Sequence, residues 1–427
     1  MKEPTDLQDH SHFPPPVDYP KIRYVDAFPI TTEQGEAICI YDPLKIAVNA
    51  LALPPLVFYL VSLFDGSHSL REIREQFQKE FHQDLPEETL GKIVKQLDSE
   101  YYLESETFHR AYQQTVEAFR QSPVRSPTHA GTAYAVDPGE LDTQLGSYFE
   151  ALGDLSSPET SSPSTRLSLL IAPHIDIRRG GLGFATAFQE IRRLPPSDLY
   201  VILGTGHQCR TSLLAATRKH YQTPLGRVET DVDFVERFSQ ESPLNVFEEE
   251  FMHRDEHSVE FQTLFLRYIL GESWQGKIVP LLCGSFHPYV RQGISPRSDA
   301  KLAQTLDLLR AMILDYPGHV TLIAGVDLSH IGKRFGHAAG IPPEELERVT
   351  GDDRRVLDAI QTGEAERFYR SIENQKDCNN VCGLSPIYMC LDVVRPGRGY
   401  LLHYNQAVEP DTESVVTFAS LAFYQDT

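Results

Sequence analysis

The chain has 427 residues, of which 41% are hydrophobic, and its formal net charge is −21. That length is enough for two or three domains, and the negative charge disfavours a nucleic-acid partner because the phosphate backbone would be repelled. No apolar run approaches the roughly 20 residues that cross a bilayer. The polar start of the chain has no apolar signal core, so we expect a cytoplasmic protein without a membrane segment.

The composition changes at several points along the chain and predicts its domain organisation. We expect residues 1–20 to be a disordered, proline-rich lead. Serine- and proline-rich stretches near 120–129 and 155–166 are typical of linkers and mobile loops, because such residues do not pack a core. The sequence therefore predicts a small domain at 21–120 and a larger domain at 121–427, with a Ser/Pro loop near 155–166 inside it.

The small domain is predicted to be mostly helical, with a strand near its start. "GEAICIYDP" alternates loosely and indicates the strand, and the apolar pattern that follows predicts two helices separated at "DG". Either Ser67 or Ser69 is placed to cap the second helix, and Glu72 completes a capping box with Ser69. "YYLES" predicts a short strand or wing. Apolar residues share one face of a third predicted helix: Leu90, Ile93, Val94 and Leu97.

The small domain resembles the PqqD-like, winged-helix peptide-recognition domains. The resemblance rests on "LVSLFDGSHSLREIREQF" followed by "IVKQLDSEYYLES". It implies that the domain binds a peptide by strand addition beside a helix. Winged-helix DNA-binding domains share the pattern, but the acidic helix "PEETLGKIVKQLDSE" does not favour DNA. A docking or structural domain without a ligand is the alternative.

Strands and helices alternate in the larger domain, which predicts an α/β fold. Strands are indicated by "RLSLLIAPH", "DLYVILGTGH", "KIVPLLCGSF", "HVTLIAGVDLSH", "GYLLHYNQ" and "SVVTFASLAFY". Helices are indicated by "GFATAFQEIRRL", "HSVEFQTLFLRYIL" and "AKLAQTLDLLRAMILD". The first strands are continuous apolar runs, as expected when helices cover both faces of a sheet. We therefore expect a mainly parallel or mixed sheet flanked by helices.

Polar residues follow three of these predicted strands at the point where each strand ends. The first strand ends at His174 and the second at His207. A later strand is followed by Asp327, Ser329 and His330. Because sites in open α/β sheets form outside the carboxyl ends of the strands, we expect these side chains to lie together.

A further group of candidates lies at the start of a predicted helix, in "HRDEHSVEFQ". His257 and Glu260 are three residues apart and share a helix face. Asp255 and Glu256 also have the ordinary role of stabilising the helix dipole, which leaves His257 unexplained. The segment is not a zincin motif, because Phe261 stands where the second histidine would be.

A cluster of imidazoles with a carboxylate is typical of a metal site. Neutral imidazoles suit iron, copper or zinc, and two histidines with an acid and open positions permit non-haem iron. A metal-free site in which His and Asp pairs act as general bases is the alternative. The glycines after His174 do not form a dinucleotide-binding loop, and we interpret "GGLG" as a close approach of the backbone to the site and as the entry to the next helix. The six cysteines form no CxxC pair.

The ordered motifs of the larger domain resemble the Memo family, whose bacterial and archaeal members are called AmmeMemoRadiSam system protein B. The motifs are "THAGTAYAVDPGELDTQL", "LLIAPHIDIRRGGLGFA", "YVILGTGHQ", "TPLGRVETD", "DEHSVEFQTLFL", "IVPLLCGSF" and "AGVDLSHIGKRFG". They fall within residues 125–424. The resemblance implies a fold similar to that of the class III extradiol dioxygenases, the LigB-like group, which use non-haem iron.

The resemblance also implies which residues form the pocket and which metal it holds. His174, His207, Asp255 and His257 match the pocket residues of the family and are the expected metal ligands and catalytic residues. Iron is the expected metal.

The cysteine that the family associates with the metal falls on Ser329 in this comparison. Since a hydroxyl is a poorer ligand than a thiolate for soft metals, copper is expected to bind less well than in cysteine-bearing relatives. Ser329 and His330 complete the set of expected metal ligands. Asp327 and Cys209 are further candidates close to the site in sequence.

The family name implies partners as well, namely a radical SAM protein and an AMMECR1-like protein. We expect a metal-binding, non-haem iron oxidoreductase of unidentified substrate in an AmmeMemoRadiSam-type system. A non-catalytic scaffold that binds a peptide or protein through a LigB-like pocket is the alternative, so the sequence leaves open whether the protein is an enzyme. A metal-free hydrolase is less favoured, because no nucleophile stands beside a base.

Overall fold

A computed structural model describes residues 18–33, 35–153, 165–338 and 340–426. The chain divides into two compact units, residues 1–121 and 122–427, and each is described by itself. Most of the proline-rich lead predicted at 1–20 and most of the Ser/Pro loop predicted near 155–166 lie outside the described residues. No helix within the described ranges is long and apolar enough to cross a membrane.

The N-terminal unit combines a three-stranded antiparallel sheet with four helices. The strands are β1 (Asp26–Thr32), β2 (Gly35–Tyr41) and β3 (Leu51–Leu53), in the order β1-β2-β3. The helices are α1 (Pro55–Ser62), α2 (Leu70–Phe81), α3 (Glu87–Ser99) and α4 (Glu106–Gln121). Apolar side chains from the sheet and the helices form one core, which includes Ile40, Leu60, Phe64, Ile73 and Leu90.

The three predicted helices of this unit are present, but the structure adds elements that the sequence did not indicate. Ser69 caps α2, and Glu72 completes the predicted capping box by accepting from the Ser69 amide at 2.8 Å. β1, β3 and α4 were not predicted. "YYLES" contributes one isolated bridge, between Leu103 and Ile22, and no wing in the described part of the unit. The resemblance to peptide-recognition domains therefore stays a prediction.

The second unit contains an eight-stranded mixed sheet and a small three-stranded sheet formed by β4, β8 and β9. Its strands are β4 (Val124–Arg125), β5 (Thr165–Ala172), β6 (Leu199–Thr205), β7 (Leu214–Ala216), β8 (His220–Thr223), β9 (Gly226–Val228), β10 (Lys277–Cys283), β11 (Val320–Gly325), β12 (His330–Gly332), β13 (Tyr400–Glu409) and β14 (Ser414–Asp426). Its helices are α5 (Pro138–Leu152), α6 (Ile177–Arg193), α7 (Val232–Glu241), α8 (His257–Leu270), α9 (His287–Gln292), α10 (Ala300–Leu314), α11 (Pro343–Gln361), α12 (Ala365–Glu373) and α13 (Leu384–Val394).

Four parallel strands occupy the centre of the large sheet. The order is β12-β14-β5-β11-β6-β10-β7, and β13 pairs with the outer side of β14. β5, β11, β6 and β10 run parallel, whereas β14 and β7 run antiparallel to their neighbours. Leu169 and Ile171 of β5 pack in one core cluster and Leu170 packs in another, because successive side chains point to opposite faces. The predicted α/β fold with a mixed sheet is confirmed.

The glycines that follow His174 lie inside α6, which corrects our interpretation of "GGLG". The helix begins at Ile177, before the first of these glycines. A Cβ at Gly181 would lie 2.4 Å from the ring of Tyr148 on α5. The glycine therefore lets α6 pack closely against α5, and it does not bring backbone to the site.

Candidate metal centre

The candidate site lies at the carboxyl ends of three neighbouring central strands. β5, β11 and β6 are adjacent in the sheet. His174 comes two residues after β5, Asp327 two residues after β11, and His207 two residues after β6. His257 is the first residue of α8. The parallel register thus brings together side chains that are far apart in the sequence.

Three imidazoles converge at this edge. One donor atom from each of His174, His207 and His257 lies within 4.8 Å of the others. The three ring centroids are each 5.0 Å apart, so the rings form a nearly equilateral group. The His174 side chain is only 2% exposed, whereas those of His207 and His257 are 35% and 31% exposed. The group therefore has a buried floor and an open side.

An oxygen atom lies beside the Nδ1 atom of each of these histidines. Nδ1 of His174 donates to the carbonyl of Gly325 at 2.9 Å. Nδ1 of His207 donates to the carboxylate of Glu256 at 3.0 Å, and Nδ1 of His257 lies 3.2 Å from the same carboxylate. Such contacts fix the ring orientation and leave Nε2 of each ring as the available donor atom.

A thiol lies beside the group of three histidines. Sγ of Cys382 lies 3.3 Å from Nε2 of His174 and also hydrogen-bonds the side chain of His207. Burial raises the pKa of the Cys382 thiol, against the opposing effect of His207. The cysteine follows a loop in which Lys376, Asp377 and Asn380 have φ angles of 54°, 48° and 50°. The fold maintains this unusual loop conformation directly before the thiol.

Burial and neighbouring charges set the protonation of the three histidines. Burial holds the pKa of His174 well below its usual range, and His207 and His257 lower it further. Burial also lowers the pKa of His257 to about 4, although Glu256 opposes the shift. Burial alone would lower the pKa of His207, but Glu256 and Cys382 raise it well above normal. Two neutral imidazoles therefore stand beside a third that pairs with a carboxylate.

Residues 125–422 match the Memo family of Memo-like proteins. The matched range contains the whole histidine group and covers more than half of the chain. The chain belongs to the Memo-like protein family. The second unit is accordingly called the Memo-like unit below.

Relatives of this chain occur in bacteria, archaea and animals. A MEMO1 family protein of Aquifex aeolicus (strain VF5) is 24% identical over 408 residues, which are 95% of this chain and 100% of the relative. A MEMO1 family protein of Methanopyrus kandleri is 27% identical over 307 residues, 70% of this chain and 98% of the relative. The protein memo-1 homolog of Caenorhabditis elegans is 28% identical over 312 residues, 69% of this chain and 81% of the relative. The Aquifex match extends into both units.

Within the Memo-like unit, Asp255 forms an ion pair with its neighbour in the sequence. Its carboxylate pairs with Nε of Arg254 at 2.7 Å. Glu256 is the acid that contacts His207 and His257, and it also caps α8 by accepting from the Ser258 amide. From its place in the sequence, Glu256 was expected to act only as a helix-dipole partner. The structure gives it a second role, because one carboxylate orients two imidazoles.

Ser329 and His330 also have partners outside the group of three. The Ser329 hydroxyl donates to the carboxylate of Asp353 at 2.6 Å. Nδ1 of His330 donates to the carbonyl of Leu328 at 3.0 Å, and burial lowers the pKa of His330 to about 4. The sulfur beside the histidines belongs to Cys382, whereas the Ser329 hydroxyl contacts Asp353.

Asp327 lies beneath the group of three and organises its floor. Oδ1 of Asp327 accepts from the amides of His174 and Ile175 at 3.0 and 3.1 Å. Oδ2 lies 3.6 Å from Nε2 of His174. Burial raises the pKa of Asp327 to about 7, although both amides and His207 oppose the shift. Cys209, the other nearby candidate, is buried, and burial raises the pKa of its thiol to about 12.

Proposed function

We propose that this Memo-like protein binds a transition-metal ion through His174, His207 and His257, with Cys382 as a fourth donor. Non-haem iron is the metal that we propose, and the activity is that of an oxidoreductase on a small substrate. The observation that carries the proposal is the convergence of three imidazoles, each with Nδ1 beside an oxygen. This is the arrangement in which Nε2 is prepared to bind a metal.

The chemistry of the donor set fits a transition-metal ion. Imidazole nitrogens suit iron, copper and zinc, and a thiolate adds affinity for the softer members of that series. The deep burial and lowered pKa of His174 keep one imidazole neutral, as ligation requires. Glu256 supplies a negative charge beside His207 and His257, which offsets part of the charge of a cation.

The remaining residues of the site have roles that do not depend on the metal. Asp327 fixes the backbone at His174, and Glu256 orients His207 and His257. The open side of the site, beside His207 and His257, is where a substrate would enter. A bound iron ion would supply redox chemistry and open coordination positions for a small ligand.

Cys382 changes the expectation for copper. The sequence analysis disfavoured copper because Ser329 stood at the expected position of the thiolate. With a thiol 3.3 Å from His174, that reason no longer holds, and copper(I) becomes a direct competitor for iron. Metal identity is therefore decided by competitive loading rather than by the donor list.

The test is anaerobic loading of the purified protein with Fe(II) or Cu(I), read by elemental analysis after desalting. We expect about one ion per chain, and loss of the ion in the His174→Ala/His207→Ala variant while the fold is retained. His330→Ala is the matched control, because His330 is a half-buried histidine at the same sheet edge outside the group of three. Retention of metal by the double variant, or absence of metal in the wild type, would overturn the proposal.

We also propose that the N-terminal unit docks a partner, either a peptide or the radical SAM and AMMECR1-like proteins of an AmmeMemoRadiSam-type system. An exposed aromatic pair supports this proposal: Phe28 and Tyr41 are 44% and 39% exposed, with ring centroids 6.0 Å apart. Exposed aromatic residues are enriched at protein interfaces. The resemblance to PqqD-like domains points in the same direction.

This docking role is tested with the two expected partner proteins. Isothermal titration of the full chain with each of them should show binding that Phe28→Glu/Tyr41→Glu weakens by at least about 10-fold, as expected for aromatic anchors. The His174→Ala/His207→Ala variant serves as a control and should bind normally. Equal binding by the wild type and the aromatic variant would refute this role for the pair. Loss of binding in the histidine variant would instead favour a scaffold that binds through the histidine pocket.

A further inference from the structure

We propose that His129 contacts the ligand at the metal centre, with its Nε2 accepting a hydrogen bond from an O–H or N–H group of a small molecule bound to the metal. The inference rests on the proposed metal-binding function and identifies the class of molecule that the site takes. His129 belongs to the turn after β4, and neither the motif analysis nor the group of three histidines assigned it a role.

His129 stands beside the open side of the histidine group. Its ring centroid is 5.7 Å from that of His257 and 5.8 Å from that of Phe261. The side chain is 17% exposed, between the buried His174 and the more exposed His207. A molecule that approaches the site over His257 therefore passes next to His129.

Glu260 determines which nitrogen of His129 is available. Nδ1 of His129 donates to Oε2 of Glu260 at 2.8 Å, and the His129 amide donates to Oε1 at 3.1 Å. Because both contacts are to one buried carboxylate, the ring is fixed and its hydrogen is placed on Nδ1. Nε2 is then an acceptor, and no described residue is hydrogen-bonded to it.

The charge of Glu260 is already balanced without His129. Arg125 forms a fully buried ion pair with Glu260, and the hydroxyl of Tyr134 donates to the same carboxylate. Although burial opposes the shift, Arg125 and His129 lower the pKa of Glu260 to about 2. A residue that served only to satisfy Glu260 would need one donor. His129 supplies that donor and also carries a second polar atom, Nε2, on a ring whose centroid is 5.7 Å from that of His257.

The geometry defines the ligand by its chemistry. It has an atom that binds the metal and, close to that atom, a hydrogen-bond donor that reaches Nε2 of His129. Small chelators such as hydroxamates and hydroxy acids have this pair of groups, whereas azide binds metals without any hydrogen to donate. Comparison of the two probes separates binding by the metal from binding by His129.

The experiment uses the full chain loaded with Co(II), whose visible absorption reports ligand binding without redox chemistry. Acetohydroxamate and azide are titrated into the wild type, His129→Phe and His129→Gln. We expect both variants to bind acetohydroxamate roughly 5- to 30-fold more weakly, as loss of one hydrogen bond predicts. Azide affinity should change less than about 2-fold, because azide donates no hydrogen bond to His129.

Several outcomes distinguish this inference from the proposed function. If acetohydroxamate binding is unchanged in both variants, or if the affinity for the two probes falls equally, His129 is not a ligand contact. If the wild type holds no cobalt, or binds neither probe, the open metal centre itself is wrong. Cobalt content and thermal unfolding of each variant show that the fold is intact, and His129→Gln replaces His129→Phe if the latter does not fold.

Discussion

Two buried carboxylates lie one turn apart on α8, and their surroundings differ. Glu256 faces His207 and His257 at the open side of the histidine group. Glu260 faces Arg125 and lies in a region where polar groups match one another closely. The two acids are four residues apart, at the N-cap and in the first turn of α8, and they belong to the proposed metal site and to a structural network, respectively.

The hydrogen-bond donors of Arg125 are fully used. A guanidinium group has five N–H donors, and all five of those in Arg125 are used. The acceptors are the backbone oxygens of Ser126, His253 and Glu256, the hydroxyl of Thr128 and the carboxylate of Glu260. Arg125 therefore has no donor left for a ligand, and its role is to hold the start of α8 in place.

Glu256 instead contacts side chains that can ligate a metal. Glu256 orients two imidazoles through Nδ1, which leaves their Nε2 atoms together with that of His174 and the thiol of Cys382. Nitrogen and sulfur atoms able to ligate a metal lie on the Glu256 side, and this chemistry, rather than the number of charges, distinguishes the proposed metal site from the network around Arg125.

The largest expected effect comes from removing the cation of the buried Arg125–Glu260 ion pair. Arg125→Met leaves Glu260 buried without its cation, so the free energy of unfolding should fall by about 3–5 kcal/mol. Trp274 is the single tryptophan and belongs to the Memo-like unit, so urea unfolding followed by its fluorescence reports on that unit. Arg237→Met is the control, since its exposed pair with Glu241 should contribute less than about 1 kcal/mol. Equal losses of unfolding free energy in the two variants would show that the buried Arg125–Glu260 pair contributes no more than the exposed pair.

His253 is a buried residue of the same network, because its carbonyl accepts a hydrogen bond from Arg125. Nε2 of His253 donates to the carbonyl of Ala215 and Nδ1 accepts from the hydroxyl of Tyr221. Burial lowers the pKa of this histidine from 6.5 to about 4. Its neutral form therefore contributes in full above about pH 6.5, and the contribution is lost as the pH falls toward about 4.

The expected loss across that window is about 3 kcal/mol, at about 1.4 kcal/mol for each pH unit. His253→Gln keeps a donor and an acceptor but does not titrate. In chelator-treated protein, the wild type should therefore lose more unfolding free energy between pH 7 and pH 5 than the variant does. Parallel pH profiles of the two proteins would show that His253 does not remain neutral in the fold.

A third substitution tests the carboxylate that contacts His207 and His257. Glu256→Gln keeps the shape of the side chain but removes the charge that orients His207 and His257. We expect metal affinity to fall about 10- to 100-fold, as for other residues that orient metal ligands. Competition with a chromogenic chelator measures the change. Asp255→Asn is the matched control, because Asp255 pairs with Arg254, and an equal effect in both variants would return Asp255 to the candidate ligands.

The sequence predicted the α/β fold of the Memo-like unit and three histidines that the structure brings together, for a physical reason. Continuous apolar runs and strand-end histidines are local patterns, and parallel strands bring their carboxyl ends to one edge. His174 and His207 lie on neighbours of the central strand β11, so the fold converts this local pattern into a cluster.

The residues that the sequence did not reveal depend on tertiary contacts. Cys382 is 208 positions away from His174, and no local spacing connects the two. Glu256 looked like an ordinary helix-dipole residue, because the choice between it and Asp255 depends on how the cap of α8 turns. The glycines after His174 were misinterpreted, since only the packing of α6 on α5 shows what they accommodate.

The smallest expected effect tests the position of the sulfur. Ser329 donates to Asp353, so Ser329→Cys should leave Cu(I) affinity unchanged, within about 2-fold, because its side chain belongs to that contact. Cys382→Ser should lower Cu(I) affinity more than Fe(II) affinity, since copper(I) prefers the softer sulfur ligand. Competition with a Cu(I)-specific chelator under anaerobic conditions gives both values. A rise in Cu(I) affinity in Ser329→Cys would mean that the side chain at position 329 reaches the histidine group. Ser329 and its partner Asp353 would then belong to the metal site.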